Sequence, residues 1–172
     1  MSTEKVTVFW TSLHYQDWNL HVASTTNGLC YVSKQNGEMR ELLQWLEKHL
    51  QNSVLVKSEE ALNPYLHQFI EYFNGKRKDF SFDLDFHGTI FQQKVWQALC
   101  EIPYGETISY TDVATNINKP TAVRAVAAAI GANPILLAVP CHRVVGKNGA
   151  LTGYRGGLDM KKQLLEIERN GN

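Results

Sequence analysis

The residues with the clearest chemistry in this sequence are three consecutive ones, Cys141, His142 and Arg143. They bring a thiol, a proton acceptor and a fixed positive charge together. A thiol attacks as its thiolate, and a neighbouring imidazole or guanidinium lowers the thiol pKa from its ordinary value of about 8.5. The pattern therefore predicts a nucleophilic cysteine. The alternative is a small buried core residue, because the apolar run 136–139 comes shortly before the cysteine.

Two short helices are predicted ahead of this cysteine, and the first begins with a capping signal. Ser109 and Asp112 have the spacing of a capping box. This spacing predicts that Ser109 caps a helix that carries Tyr110 on its first turn and reaches about Ile117.

The second predicted helix, over residues 121–132, contains six alanines and one charged residue, Arg124. Pro120 is suited to its first turn. Two short helices joined by a tight turn are typical of a helix-turn-helix. An alanine-rich helix packs closely against a neighbouring helix, but its smooth surface also permits close approach to a nucleic-acid groove. Both interpretations stay open at this point.

Beyond the cysteine, residues 146–157 contain five glycines together with Tyr154 and Arg155. One interpretation is a surface hairpin and loop. The other is the wall of a pocket, where glycine lets the backbone approach a flat ligand and Tyr154 offers a stacking face. An amphipathic helix over 159–169 should follow, with Glu168 near its end.

The first half of the chain has a different pattern, in which short β-branched and aromatic runs alternate with helical periods. Three strands are predicted as an antiparallel meander, then a helix, a fourth strand near 54–56, and a helix that ends at Asn74. The alternating apolar residues of 80–86 predict an edge strand. The sequence therefore predicts an α+β protein with two domains, residues 1–86 and 87–172.

Composition and charge restrict the class of protein further. The chain is 44% hydrophobic and 20% charged, a composition that excludes a disordered protein. Residues 1–86 carry 8 basic and 11 acidic side chains, against 9 and 6 in 87–172. This basic excess could attract phosphate, although a solvated basic face explains it nearly as well.

The cysteine pattern and the lengths of the apolar runs indicate where in the cell the protein acts. The chain has an odd number of cysteines, Cys30, Cys100 and Cys141, and no CxxC pair. Neither a disulfide framework nor a cysteine-rich zinc site is therefore indicated. Reduced thiols in the cytoplasm fit this pattern best. The sequence has no export signal and no long uncharged apolar run, so we expect no membrane association.

Several motifs stand in one unbroken order between Gly88 and Glu168. They are Ile108-Ser109-Tyr110, Arg124-Ala125-Val126, Asn133-Pro134, Pro140-Cys141-His142-Arg143-Val144-Val145, and Gly153-Tyr154 with Gly156-Gly157-Leu158. Together they resemble the O6-alkylguanine-DNA alkyltransferases, also called methylated-DNA–protein-cysteine methyltransferases. The residues around the cysteine are the most specific part of this resemblance. The first 85 residues resemble the family's variable N-terminal domain only in length and in strand and helix content.

The resemblance implies a fold and a reaction. The fold would be an N-terminal α/β domain with a small antiparallel sheet, ribonuclease H-like in the family, followed by a mainly helical domain with a helix-turn-helix. The reaction would be direct-reversal DNA repair, in which Cys141 accepts an alkyl group irreversibly from O6-alkylguanine after nucleotide flipping. His142 would act through a water as base toward the thiol, and Glu168 would orient its imidazole. Activity on O4-alkylthymine stays open.

The resemblance also implies a partner, double-stranded DNA that is entered from the minor groove. Tyr110 would contact the extruded base and assist catalysis, and Arg124 would fill the gap left in the base stack. Ala125 and Ala128 would lie on the surface that faces DNA. Asn133 would be the hinge that ties the recognition helix to the active-site segment.

The substrate pocket implied by the resemblance has backbone and side-chain components. The carbonyls of Cys141 and Val144 would read the guanine amino group. Tyr154, Arg155 and Gly156 would form a lid over the base. The family often has serine at the position of Arg155, so the resemblance assigns no function to the Arg155 side chain.

No cofactor is expected, because transfer of the alkyl group to the thiol needs none. No metal is expected, because the cysteine set of the zinc-binding family members is incomplete here. A monomer is expected. Two rival functions were weighed against alkyl transfer. One is a non-catalytic module that binds alkylated DNA, which is disfavoured because such relatives replace the reactive cysteine. The other is a cysteine hydrolase or redox thiol, which is disfavoured because the base and the nucleophile are adjacent in sequence and no resolving cysteine lies near Cys141.

Overall fold

Four strands form the sheet of the N-terminal half. In this computed structural model, which describes residues 4–171, they are β1 (Val6–Tyr15), β2 (Trp18–Thr25), β3 (Gly28–Val32) and β4 (Ser53–Lys57), in the order β3-β2-β1-β4. The first three form the predicted antiparallel meander. β4 pairs in parallel with β1, so the sheet is mixed rather than antiparallel throughout. The reason is the connection from β3 to β4, which contains a helix and returns the chain to the end at which β1 begins.

Two helices complete the N-terminal unit, α1 (Met39–His49) and α2 (Glu59–Phe73). Leu42 and Leu46 of α1 are buried in a core cluster with residues of all three meander strands. Helix α2 begins where the Ser58 hydroxyl accepts the Ala61 N–H, at 3.1 Å. It ends before Asn74, as predicted. The N-terminal unit thus has the predicted α/β character.

The predicted edge strand over 80–86 does not form. A single bridge joins Leu84 to Leu29 of β3. Instead, the rings of Phe80 and Phe82 stack with centroids 5.3 Å apart, and both pack edge-on against Phe69 of α2. The alternation of aromatic residues therefore reflects packing on a helix, which strand periodicity alone does not distinguish.

The C-terminal unit is mainly helical, and the two units divide between His87 and Gly88. Its helices are α3 (Ile90–Cys100), α4 (Tyr110–Asn116), α5 (Val123–Gly131) and α6 (Leu158–Asn170). The Trp96 indole of α3 donates to the Ala129 carbonyl of α5 at 2.9 Å. No helix within residues 4–171 is long and apolar enough to cross a membrane.

A short parallel pair, β5 (Ile108–Ser109) and β6 (Val144–Val145), joins two distant parts of this unit. Ile108 pairs with Val144, and Ser109 pairs with Val145. This pairing brings the beginning of α4 next to the residues that follow Cys141.

Helices α4 and α5 form the predicted helix-turn-helix pair. The Ser109 hydroxyl accepts the Asp112 N–H at 3.1 Å, and the Asp112 carboxylate accepts the Ser109 N–H at 3.0 Å, so the predicted capping box is present. The prediction for Pro120 is wrong, because α5 begins only at Val123. The Ala122 N–H donates to the carbonyl of Lys119 at 2.9 Å, which places Pro120 second in a turn, a position that suits its fixed φ.

Two glycines of the N-terminal unit test how tightly its turns are packed. Gly28 has a φ of +145°, and a Cβ added there would lie 2.5 Å from the Asp83 carbonyl oxygen. Gly75 has a φ of +78°, and a Cβ added there would meet nothing within 4 Å. We expect Gly75→Ala to lower the free energy of unfolding by about 1 kcal/mol, from backbone strain alone. Gly28→Ala should cost about 3 kcal/mol, because the Asp83 backbone must also move. Urea unfolding followed by circular dichroism measures both, and equal losses would contradict the predicted collision.

Candidate active site

Cys141 begins a single 3₁₀ turn, Cys141–Arg143, after a buried apolar segment. Its side chain is 2% exposed. The Sγ atom accepts a hydrogen bond from Nδ2 of Asn133, with the two atoms 3.2 Å apart. Cys141 is therefore buried, as the core interpretation expects, but it also has a polar partner that a purely structural cysteine does not need.

Asn133 follows directly after α5 and connects that helix to Cys141. Its Nδ2 also approaches the carbonyls of Val139 and Ile135, at 3.1 and 3.4 Å. Its Oδ1 accepts the Ile135 N–H at 2.9 Å. Because both ends of the buried amide have partners, the side chain has one orientation, and that orientation directs an N–H at the sulfur.

The environment of the Cys141 sulfur contains opposing effects. Burial raises the pKa of the thiol to about 11, although the Asn133 hydrogen bond and then the charges of Lys161 and Arg155 act to lower it. The expectation from the sequence was that a neighbouring imidazole or the Arg143 guanidinium would lower this pKa. The groups that act to lower it are instead the Asn133 amide, Lys161 of α6 and Arg155 of the glycine-rich loop (residues 146–157).

His142, Arg143 and Glu168 form a buried cluster. Glu168 Oε2 lies 2.6 Å from His142 Nε2, and its carboxylate accepts from Arg143 Nε at 2.8 Å and from Arg143 Nη2 at 3.1 Å. Arg143 Nη1 donates to the Ile102 carbonyl at 2.6 Å. The Arg143 charge is therefore paired with Glu168 inside the protein.

The protonation of this cluster follows from burial and contact. Burial raises the pKa of Glu168, but the hydrogen bonds and charges of His142 and Arg143 outweigh it and hold the pKa at about 2. Burial lowers the pKa of His142 more than Glu168 raises it. A neutral His142 that donates Nε2–H to Glu168 has a lone pair on Nδ1, and this buried atom has no hydrogen-bond partner among residues 4–171. His142 is thus able to accept a proton at Nδ1.

Lys161 is a site residue that the sequence analysis missed. Its side chain is buried, and Nζ donates to the carbonyls of Val144 and Thr152 at 2.6 and 2.8 Å. Lys161 stands seven residues before Glu168 on α6, so the two share one face of the helix. That spacing was the available signal. The Val144 carbonyl, predicted to read guanine, already accepts from Lys161 and has a second lone pair left.

The glycine-rich loop borders the site through Tyr154, Arg155 and Gly156. The Tyr154 hydroxyl is buried and has no hydrogen-bond partner within the described part of the chain. Arg155 Nη1 donates to the Asn133 carbonyl at 3.3 Å. A Cβ at Gly156 would lie 2.5 Å from the Tyr154 ring, so glycine permits this close packing. Tyr110 reaches the same loop, with its hydroxyl 3.4 Å from the Gly153 carbonyl oxygen.

Helix α5 has two distinct faces. Val126, Ala129 and Ile130 are buried, whereas Arg124, Ala125 and Ala128 are exposed. These exposed residues follow helical spacing and form one stripe of small side chains with a single positive charge. The two interpretations of the alanine-rich helix therefore describe opposite faces of the same helix.

Metal-binding side chains are not clustered in the part of the chain that is described. Residues 4–171 contain no group of three or more His, Cys, Asp or Glu side chains that could hold a metal ion. The three cysteines are free thiols, with Cys100 exposed and the other two buried.

Both halves of the chain match models of one protein family. Residues 8–86 match the ribonuclease-like domain of 6-O-methylguanine DNA methyltransferase. Residues 90–170 match the DNA-binding domain of the same family. Together the two matches cover most of the chain.

Individual relatives agree with this assignment. The inducible methylated-DNA–protein-cysteine methyltransferase of Bacillus subtilis is 53% identical over 172 residues, which is 100% of this chain and 96% of that protein. A crystal structure of the Mycobacterium tuberculosis O6-methylguanine methyltransferase has a TM-score of 0.80 at 37% identity, covering 96% of this chain and 94% of that one. The Mycobacterium tuberculosis protein has also been crystallised in complex with DNA, at 36% identity to this chain and the same TM-score and coverage. The chain belongs to the 6-O-methylguanine DNA methyltransferase family.

Proposed function

We propose that this protein repairs DNA by direct reversal, and that Cys141 takes the alkyl group from the O6 atom of an alkylated guanine. The assignment to Cys141 is supported by the surroundings of its sulfur atom. Its sulfur is buried, accepts a hydrogen bond from Asn133, and lies within the field of the Lys161 and Arg155 charges. Family membership supports the reaction, and these contacts support the choice of nucleophile.

Formation of the thiolate requires that the Cys141 proton leave a buried site. We assign its acceptor as Nδ1 of His142, reached through a bridging water as the family resemblance implies. Glu168 accepts the Nε2–H and stabilises the imidazolium that forms. Arg143 keeps Glu168 ionised, because its guanidinium donates to the carboxylate and lowers the pKa of Glu168. This arrangement supplies a nucleophile, a base and a group that orients the base.

The transfer itself is a displacement at carbon. The Cys141 thiolate forms an S–C bond while the bond from that carbon to O6 breaks, and the electron pair remains on the guanine oxygen. The displaced guanine then gains a proton or hydrogen bonds, and Tyr110 is the side chain that we assign to the extruded base. The thioether has no good leaving group, so each molecule reacts once and no cofactor is required.

The DNA contact is assigned to α5. Its exposed stripe of Arg124, Ala125 and Ala128 is narrow and smooth enough to enter a minor groove, as small side chains allow the backbone to approach. Extruding a nucleotide costs a few kcal/mol, and an inserted Arg124 would replace the lost stacking. Asn133 links this helix to the thiol.

The pocket for the extruded base is assigned to the residues beside Cys141. Tyr154 offers an aromatic face, and Gly156 allows that ring to pack closely. The backbone of Val144 and Arg155 supplies polar atoms for the guanine edge. The free thiols support our further proposal that the protein acts in the cytoplasm. We also propose that it acts as a monomer.

The first prediction concerns the alkylated atom. After incubation with duplex DNA containing O6-methylguanine, peptide mass spectrometry should find one added methylene mass on Cys141 and none on Cys100. Cys141→Ala should abolish the adduct but retain DNA binding, whereas Cys100→Ala should react like the unaltered protein. Tight binding of alkylated DNA without any adduct would support the non-catalytic module instead, and repeated turnover would refute the single-use reaction.

The second prediction concerns the buried carboxylate. Glu168→Gln should lower the free energy of unfolding at neutral pH by about 3 kcal/mol, because Arg143 loses its buried counter-ion. It should also slow transfer by roughly a hundredfold, since His142 loses its partner. Glu166→Gln, on the exposed side of the same helix, is the matched control and should change neither quantity.

The stability difference between the unaltered protein and Glu168→Gln should also depend on pH. The lowered pKa of Glu168, about 2 in the folded protein, means that its contribution to stability is present above the ordinary value of 4.5. That contribution is lost as pH falls from 4.5 toward 2. The difference in unfolding free energy between the unaltered protein and Glu168→Gln should therefore narrow over this range. A constant difference down to the lowest measurable pH would contradict the assignment.

The third prediction separates base extrusion from chemistry. Arg124→Ala should slow repair of duplex DNA by at least about tenfold, because the gap in the stack is left empty. Its reaction with free O6-benzylguanine should be unchanged, since no extrusion is needed. Lys119→Ala removes an exposed charge from the turn before α5 and serves as the control. Equal losses with both substrates in Arg124→Ala would remove Arg124 from the base stack.

A further inference from the structure

Arg155 stands where the family resemblance assigns no side-chain function, yet its guanidinium contacts the site. We propose that Arg155 is a positioning residue for alkyl transfer, which fixes the glycine-rich loop to Asn133 and keeps a permanent positive charge beside the Cys141 sulfur. This inference rests on the proposed function and deepens it.

The geometry is a chain of two contacts through one residue. Arg155 Nη1 donates to the backbone carbonyl of Asn133 at 3.3 Å, across 22 residues of sequence. The side chain of Asn133 donates to Cys141 Sγ at 3.2 Å. The same residue is therefore held at its carbonyl by Arg155 and holds the sulfur with its amide. Arg155 is itself half-buried, so solvent screens this contact only in part.

The loop needs such an anchor because its own backbone forms little regular structure. Residues 150–157 contain no helix or strand. Lys161 fixes the carbonyl of Thr152 at 2.8 Å, and the Gly157 N–H closes a turn on the Tyr154 carbonyl at 2.9 Å. Glycine-rich segments lose more conformational entropy on ordering than others do. Arg155 connects this turn to Asn133, the residue whose amide contacts the thiol.

The charge of Arg155 complements that of Lys161. Burial raises the pKa of Cys141, and both cations act against it. The other titratable group of the loop, Tyr154, has its pKa raised by burial and by the nearby Cys141, and it stays neutral. Burial also lowers the pKa of Lys161. Arg155 and Lys161 therefore act on the sulfur in the same direction from two different parts of the chain, the glycine-rich loop and α6.

The test measures the reactivity of Cys141 toward a general thiol reagent and toward a free alkylated guanine. Arg155→Gln removes the charge, Arg155→Lys keeps it without the planar donor fork, and Lys147→Gln removes an exposed charge from the same loop as the control. For each protein, alkylation of Cys141 by iodoacetamide and by free O6-benzylguanine is followed against pH by peptide mass spectrometry. Hydrogen exchange of the amides in 150–157 is measured in parallel.

We expect Arg155→Gln to react about tenfold more slowly than the unaltered protein at neutral pH, as one lost charge contact raises the thiol pKa. The deficit should stay constant at lower pH and close only as pH rises through about 11, where the Cys141 thiol ionises, and exchange in 150–157 should accelerate. Arg155→Lys should recover the pH profile but not the slow exchange, and Lys147→Gln should change neither. A purely structural role would lower the rate equally at every pH.

The outcomes separate this inference from the proposed function. If the unaltered protein reacts with iodoacetamide but never with O6-benzylguanine or methylated DNA, the proposed function fails, while the iodoacetamide profile still decides the role of Arg155. If Arg155→Gln keeps the pH profile and the slow exchange of the unaltered protein, the inference is overturned, whatever the outcome with alkylated DNA.

Discussion

The buried carboxylate of Glu168 is the contact on which the C-terminal unit depends. It accepts from His142 and Arg143 of the 3₁₀ turn, and from the backbone N–H of Gly105 at 3.1 Å. An ionised carboxylate is tolerated in a protein interior only when its partners are in place. The turn after Cys141, the segment before β5 and helix α6 must therefore assemble together. The orientation of His142 is a consequence of this stability requirement as well as of the chemistry.

The thiol presents the opposite problem, because burial stabilises its unreactive form. The protein offsets burial with donors that are already fixed, namely the Asn133 amide and the charges of Lys161 and Arg155. Donors that are oriented before reaction need no reorganisation when negative charge develops on the sulfur. A closed site with fixed donors therefore reconciles a buried cysteine with a nucleophilic one, and the two interpretations of the sequence were not exclusive.

Local signals in the sequence predicted the elements that depend on neighbouring residues. The capping box at Ser109 is an example, because both of its hydrogen bonds join residues three apart. Contacts that join distant residues were less accessible. The parallel pairing of β4 depends on the path of the chain, and the alternation of Phe80 and Phe82 reflects a helix elsewhere in the sequence. Lys161 was missed because a lysine is ordinarily assigned to the solvent side, although its spacing from Glu168 indicated otherwise.

Asn133 joins the end of α5 to the Cys141 sulfur. It follows the C-cap residue of α5, and every part of it is engaged: the amide with Cys141 and neighbouring carbonyls, and the backbone carbonyl with Arg155. Since the amide nitrogen lies 3.2 Å from the sulfur, a displacement of the end of α5 would change that contact directly. The exposed face of α5 and the Cys141 sulfur therefore share one connection through Asn133, so the position of the helix and the position of the thiol are set together.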